Sequence, residues 1–234
     1  MIGRISKLTE PLILLALGVA GASAWVFLGI ADEVAEGDTQ LIDGWLLQLL
    51  RNPADPSTAI GPGWLSTASR DITALGDMAI LMFIVLVVAG FLALARRWRT
   101  AVFVLAATVS GSVMAGILKH VFERNRPTFA SSDVYIATSS FPSGHAMMSA
   151  VVYLTLAALL ARLISDVRLK AYVLGVALVV TLLIGLSRIY LGVHWPSDVA
   201  AGWAIGAAWA LAWWILAQIF LGPEKPIGPP WPDC

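Results

Sequence analysis

Cysteine is all but missing from this chain: of 234 residues the only one is Cys234, the last. No intrachain disulfide can form, cysteine-based metal sites are excluded, and one thiol says nothing about redox compartment. Charge is scarce as well. Asp, Glu, Lys and Arg make up 13% of the residues, against about 25% in an ordinary soluble domain. Fifteen basic side chains balance fifteen acidic ones, for a net charge of zero. The sequence pI is near 6.8, so no basic excess exists to hold a nucleic acid. What is abundant is apolar: 59% of the residues are hydrophobic and the mean hydropathy is +0.82. A soluble globule of this size has no interior large enough to hide so much apolar surface. A disordered chain would not carry it. The composition fits a lipid bilayer as solvent.

The apolar residues fall into six runs, 11–31, 72–95, 100–118, 146–164, 171–187 and 199–221. Each approaches the roughly 20 residues that a helix needs to cross the hydrocarbon core. Lipid offers no partner to an unpaired backbone group, so such runs must be helices. The strand alternation of a membrane barrel is absent. The expected fold is all-α: one polytopic membrane domain over 1–234, a bundle of six transmembrane helices. Arg4, Lys7, Arg96, Arg97, Arg99, Arg162, Arg168, Lys170 and Lys225 all fall on one side if the spans alternate. The excess of basic residues marks that side, and both termini, as cytoplasmic. Arg4, Lys7 and the run ending near Ala22-Ser23-Ala24 imitate a cleavable signal peptide. The apolar run continues past that point, which favours an uncleaved span.

The longest connection, 32–71, is then external. Within it Leu41, Ile42, Trp45, Leu46, Leu49 and Leu50 recur at helical spacing, with Asp43, Gln48 and Arg51 on other faces. The pattern predicts a short interfacial helix, either a lid on the bundle or a wall that guides a lipid inward. Asn52-Pro53-Ala54-Asp55-Pro56 and Gly61-Pro62-Gly63 are turn formers. Gly202 and Gly206 on the last span suit close helix packing. Trp64 and Trp195 at the outer face and Trp98 at the inner one suit interface anchoring. The proline-rich tail 222–234 is expected to be loose and cytoplasmic.

The chemistry lies at the external ends of the last four spans. The third span ends at Lys119, followed by Glu123-Arg124-Asn125-Arg126-Pro127. The fourth opens with Pro142-Ser143-Gly144-His145, the fifth ends at Ser187-Arg188, and His194-Trp195-Pro196-Ser197-Asp198 precedes the sixth. Helix parity gathers all of them on one side of the membrane. Lys119, Arg126 and Arg188 in one water-poor place repel unless an anion joins them. Ser143-Gly144-His145 opens a helix whose free N–H groups and dipole also favour an anion. Gly144 lets backbone approach it closely. Arginine forks and a mobile lysine suit phosphate oxygens. An Asp four residues after His194 can accept the Nδ1–H and leave Nε2 free to attack. His145 can protonate a leaving oxygen.

Taken singly, each residue has a plainer explanation. Lys119 or Arg188 at a span end is commonly a snorkelling anchor. Ser143 is a natural helix N-cap, Asp198 a first-turn dipole partner, and Asp77 another cap. The functional case rests on the set. Lys119-(six residues)-Arg126-Pro127, Pro142-Ser143-Gly144-His145 and Ser187-Arg188-(five residues)-His194-(three residues)-Asp198 together specify eleven positions. In this order and spacing they resemble the three-part signature of the type 2 phosphatidic acid phosphatase and vanadium haloperoxidase superfamily. The resemblance implies His194 as nucleophile assisted by Asp198, and His145 as general acid. It implies phosphate binding by Lys119, Arg126, Ser143, Gly144 and Arg188. It also implies a metal-independent reaction with no cofactor, and this sequence shows no carboxylate cluster suited to Mg²⁺. His120, outside the signature, is read as structural or interfacial.

The leading expectation is therefore an integral-membrane lipid phosphatase of the cytoplasmic (inner) membrane. It would act at the external face through a phosphohistidine, on a phosphorylated lipid drawn from the bilayer. Undecaprenyl pyrophosphate is the favoured substrate, with phosphatidic acid or phosphatidylglycerol phosphate as alternatives. A vanadate-dependent haloperoxidase is a rival, although that branch is soluble. A non-catalytic transporter of a phosphorylated solute is another, although the charges sit at the mouth and not at the midplane where transport sites lie.

Overall fold

The computed structural model describes residues 10–128 and 139–221. Arg4, Lys7, Lys225 and the expected loose tail 222–234 lie outside the described residues. Helices dominate. Among the described residues five are long and apolar enough to cross a bilayer, and a bent pair, counted as one span, brings the number to six.

Helix α1, Glu10–Glu36, runs five residues past the apolar stretch that ends at Ala31. Its acidic last turn stays helical because Ala31 and Val34 still pack against the bundle. Gly37, at φ +87°, then takes the left-handed conformation that ends helices cheaply only at glycine. The expected interfacial helix is α2, Gln40–Gln48. Leu41, Ile42, Trp45 and Leu49 are exposed on it, while Leu47 and Asp43 are buried. The burial of Asp43 was not expected, since the apolar stripe places it on a water-facing side.

The turn-forming stretch that follows folds into a small antiparallel hairpin, β1 (Arg51–Asn52) with β2 (Asp55–Ala59). It docks on the far end of another helix: Arg51 donates to the carbonyls of Ile189, at 3.4 Å, and Tyr190, and the Tyr190 hydroxyl donates to Ile60 O at 2.7 Å. A cation on the last carbonyls of a helix also suits its dipole.

The second span departs from its expected 72–95 range. Helix α3, Gly63–Ala74, stops and α4, Met78–Leu94, restarts at an angle of 46°. Asp77 causes the break: its backbone is extended and its carboxylate caps α4 by accepting from Ala79 N at 2.9 Å. Asp77 is thus a cap, as expected, but hydropathy alone does not show that the apolar run bends there. The remaining helices are α5 (Trp98–Phe122), α6 (Gly144–Ser149), a π-helical turn Ala150–Leu154, α7 (Thr155–Leu163), α8 (Val167–Tyr190) and α9 (Pro196–Phe220). The π turn joins α6 and α7 into one crossing, Gly144–Leu163.

Helix α9 is the hub. It packs against α1, α6 and the π turn. A Cβ at Gly202 would lie 2.8 Å from Ser143 O, and one at Gly206 would lie 2.6 Å from Met147 O. The two glycines therefore serve close packing inside the bundle, as expected. Indole N–H groups cross-brace the helices, Trp203 to Thr181 O at 3.1 Å and Trp209 to Ala107 O at 3.2 Å. At the opposite end from the hairpin, Arg99 donates to Phe220 O at 2.8 Å, closing the last turn of α9.

Candidate active site

Four chain segments meet at one end of the bundle. Helix α5 delivers Lys119 in its last turn and ends where Glu123 turns left-handed at φ +41°. The chain then leads straight to Arg124 and Arg126. The segment 139–143 returns beside it, with Ser140 N donating to Arg124 O at 2.8 Å. Phe141 is fully buried and packs against Phe122, at 4.8 Å between ring centroids, and Phe27, at 6.0 Å. That apolar plug fixes the start of α6, and Ser143 caps it by accepting from Ala146 N at 3.5 Å. Ser143 N donates to Asp198 O at 3.0 Å, joining the mouths of α6 and α9 through backbone.

His194 sits between α8 and α9 and is 1% exposed. Arg126 Nη1 lies 3.1 Å from its Nε2 and 2.8 Å from Val193 O. Guanidinium nitrogens only donate, so Nε2 must be the accepting, unprotonated nitrogen. The proton is then on Nδ1, which faces Asp198 Oδ2 at 3.4 Å. This is the tautomer expected from the His194–Asp198 spacing. Burial lowers the imidazole pKa to about 4, aided by Arg126 and Arg188 and opposed by the Asp198 hydrogen bond and charge. The ring is therefore neutral at pH 7.

Asp198 is fully buried. Its Oδ2 accepts from the Ser140 hydroxyl and from Trp195 N at 3.0 Å. Its Oδ1 accepts from Arg124 Nη1 at 2.6 Å. Around the pair stand the expected cations. Lys119 donates to Ser139 O at 2.7 Å, and Arg126 reaches the same carbonyl at 3.3 Å. Arg188 donates to Thr73 Oγ1 at 3.2 Å across the α3–α4 bend, and its buried Nε has no hydrogen-bond partner among the described residues. His145 stands at the mouth of α6, where a Cβ on Gly76 would lie 3.3 Å from its Cδ2. A Cβ at Gly144 would lie 3.5 Å from Lys119 Cε, in ordinary van der Waals contact with the lysine stem.

The structure thus brings Lys119, Arg126, Ser143, Gly144, His145, Arg188, His194 and Asp198 to one end of the bundle. Ser140, Thr73 and the Arg124–Asp43 pair also belong to this neighbourhood; Arg124 and Asp43 stood in stretches read from sequence, but their pairing was not anticipated. Of the two not singled out, Ser140, adjoining the Pro142-Ser143-Gly144-His145 motif, was the one within reach of such reading. Trp195, expected as an interface anchor, instead donates to Asn125 O at 2.9 Å and stacks under the Arg124 guanidinium at 5.5 Å. No group of three or more His, Cys, Asp or Glu able to hold a metal occurs among the described residues.

A helical bundle with a cation-lined anion site at one mouth, and an oriented imidazole inside it, has the layout of an integral-membrane phosphotransfer enzyme. The PAP2 superfamily model matches residues 100–220, and the chain belongs to that superfamily. Bacillus subtilis phosphatidylglycerophosphatase B is 33% identical over 144 residues, covering 61% of this chain and 70% of that protein. Decaprenylphosphoryl-5-phosphoribose phosphatase of Mycobacterium tuberculosis is 36% identical over 149 residues, covering 62% and 76%. The crystal structure of the Bacillus subtilis transmembrane PAP2-type phosphatidylglycerolphosphate phosphatase superposes with a TM-score of 0.74 at 27% identity. That likeness covers 86% of this chain and 96% of the other. The chain is a multi-pass membrane protein with the all-α PAP2 fold, and a metal-independent phosphatase acting on phosphate esters.

Proposed function

We propose that the protein removes a phosphate, as monoester or diphosphate, from a lipid headgroup through a phosphohistidine on His194. The observation that carries this reading is the fixed tautomer of His194, with Nε2 turned to Arg126 and Nδ1 to Asp198. Lys119, Arg126, Arg188, Ser143 and the backbone at Gly144 hold the phosphate. Nε2 attacks phosphorus as the ester P–O bond breaks, and His145 gives its proton to the departing oxygen. Asp198 stabilises the positive charge that builds on the His194 ring. Water then attacks phosphorus, returns a proton to His145, and the N–P bond breaks to free inorganic phosphate.

The site lies at the bundle end opposite Arg96, Arg97, Arg99, Arg162, Arg168 and Lys170. By the distribution of basic residues it faces the exterior of the cytoplasmic membrane, with both termini inside. A headgroup can enter there from water while its tail stays in lipid. Undecaprenyl pyrophosphate is the favoured substrate: a polyprenyl phosphate appears in the name of one relative, and an outward site suits a carrier recycled on that face. Phosphatidic acid and phosphatidylglycerol phosphate are the alternatives. The test is phosphate release from each of these three lipids by the detergent-purified protein in EDTA, with His194→Ala as blank. Release that vanishes in the variant is expected. A folded protein that releases none, or a His194→Ala protein that still turns over, overturns the reading.

A further inference from the structure

The family signature specifies Lys119 and Arg126 but leaves the six residues between them open. Arg124 is one of these, and it is 11% exposed. It makes a bridge between two buried carboxylates. Nη1 donates to Asp198 Oδ1 at 2.6 Å and to Ser197 Oγ at 2.7 Å. Nη2 donates to Asp43 Oδ2 and to Thr39 Oγ1, both at 2.8 Å. Asp43 itself takes Ser197 N at 2.9 Å and the Ser197 hydroxyl at 2.5 Å, so a residue of α2 caps the first turn of α9. The Trp195 ring covers the guanidinium from the side.

The geometry has a chemical consequence at Asp198. A carboxylate can rotate about its Cβ–Cγ bond, and only one orientation presents an oxygen to the His194 ring. Arg124 pins Oδ1, which leaves Oδ2 to Ser140, Trp195 N and His194 Nδ1. Asp198 thereby orients the imidazole and faces the positive charge that forms on the ring. A lysine in place of Arg124 could not do this, because a single ammonium lacks the planar fork that reaches two carboxylates.

We infer that Arg124, held in place by Asp43 of α2, is a positioning residue that fixes the Asp198 carboxylate against His194. The inference rests on the proposed role of His194, and its test separates the two. Steady-state phosphate release from the three lipids above, in mixed micelles, is measured for wild type, Arg124→Gln, Arg124→Lys and Asp43→Asn. In parallel the histidine ring carbons are labelled, and the titration of His194 is followed by NMR. The chain has three histidines, and the signal missing from His194→Ala identifies the right one.

Arg124→Gln is expected to lower kcat at least about tenfold with KM changed by less than about twofold. The His194 titration should move upward from its depressed position, because a cation that competes with the ring for the Asp198 carboxylate is gone. Asp43→Asn should shift both readouts the same way by less, and it decides the matter if Arg124→Gln does not fold. Arg124→Lys should fail to restore kcat. A lowered melting temperature with kcat and the His194 titration unchanged would make Arg124 a mere staple and overturn the inference. Full activity in Arg124→Lys would overturn it too. If wild type releases phosphate from none of the lipids, the phosphatase reading fails, while the His194 titration in Arg124→Gln still decides the positioning role.

Discussion

His194 is an imidazole that the fold keeps neutral. Its pKa in the folded chain is about 4, against an ordinary value of 6.5. Between these values the unfolded chain binds a proton that the folded chain refuses. Stability therefore rises with pH across that interval and falls as pH drops from about 6.5 towards about 4. Melting curves recorded from pH 7 to pH 4 should show this acid loss, with a shallower slope in His194→Gln. An unchanged slope would mean that another group governs it. The same residue illustrates what sequence makes legible. His194 and Asp198 are four apart across the Pro196 turn that opens α9, so their pairing can be anticipated from spacing alone. Ser140 and Arg124 reach the same carboxylate from 58 and 74 residues away, and no periodicity encodes such a distance. Asp43 misleads outright: on an amphipathic stripe it belongs with the water-facing residues, yet a buried cation draws it inward.

At the scale of helices, sequence is most informative where composition alone decides the structure. Long apolar runs give the crossings, and the chain between the first two gives α2. Their ends are less legible, since polar side chains such as Asp32 and Glu36 continue a helix out of the apolar layer. Breaks inside a crossing leave the least trace. The α3–α4 bend depends on the capping carboxylate of Asp77, and the π turn at Ala150–Leu154 on packing against α8 and α9. The bend brings Thr73 to Arg188 and Gly76 to His145, so an irregular element serves the site directly. Close packing sets a sharper test. Gly206 has no room for a side chain against Met147 and Ala150, and Gly206→Val should cost about 1–3 kcal/mol or more from overpacking. Thermal unfolding in detergent measures it, and a variant as stable as wild type would show that α6 and α9 can part.

For the whole molecule, the proposed outward orientation makes a prediction of its own. A fluorescent protein fused after Cys234 should fluoresce in cells, and a periplasmic reporter enzyme inserted in the β1–β2 turn should be active. A dark fusion with an inactive reporter would invert the molecule and turn its site to the cytoplasm. The charge pattern makes this legible in sequence, because six basic residues among Arg96, Arg97, Arg99, Arg162, Arg168 and Lys170 share the end away from the site. Depth within the membrane and the choice of lipid tail depend on side-chain packing along the crossings, which the apolar runs do not distinguish.

The pairing of the first and last crossings bears on how the protein is made. Helix α1 finds its most extensive contact on α9, and a ribosome delivers α1 well before α9. Until then α1 waits in the membrane without its mate. The same late stretch brings His194 and Asp198, and with them the carbonyl that receives Ser143 N. A partly translated chain that already holds Lys119, Arg126 and Arg188 still lacks the proposed nucleophile. On the proposed roles, a nascent chain is therefore unarmed until α9 seats against α6.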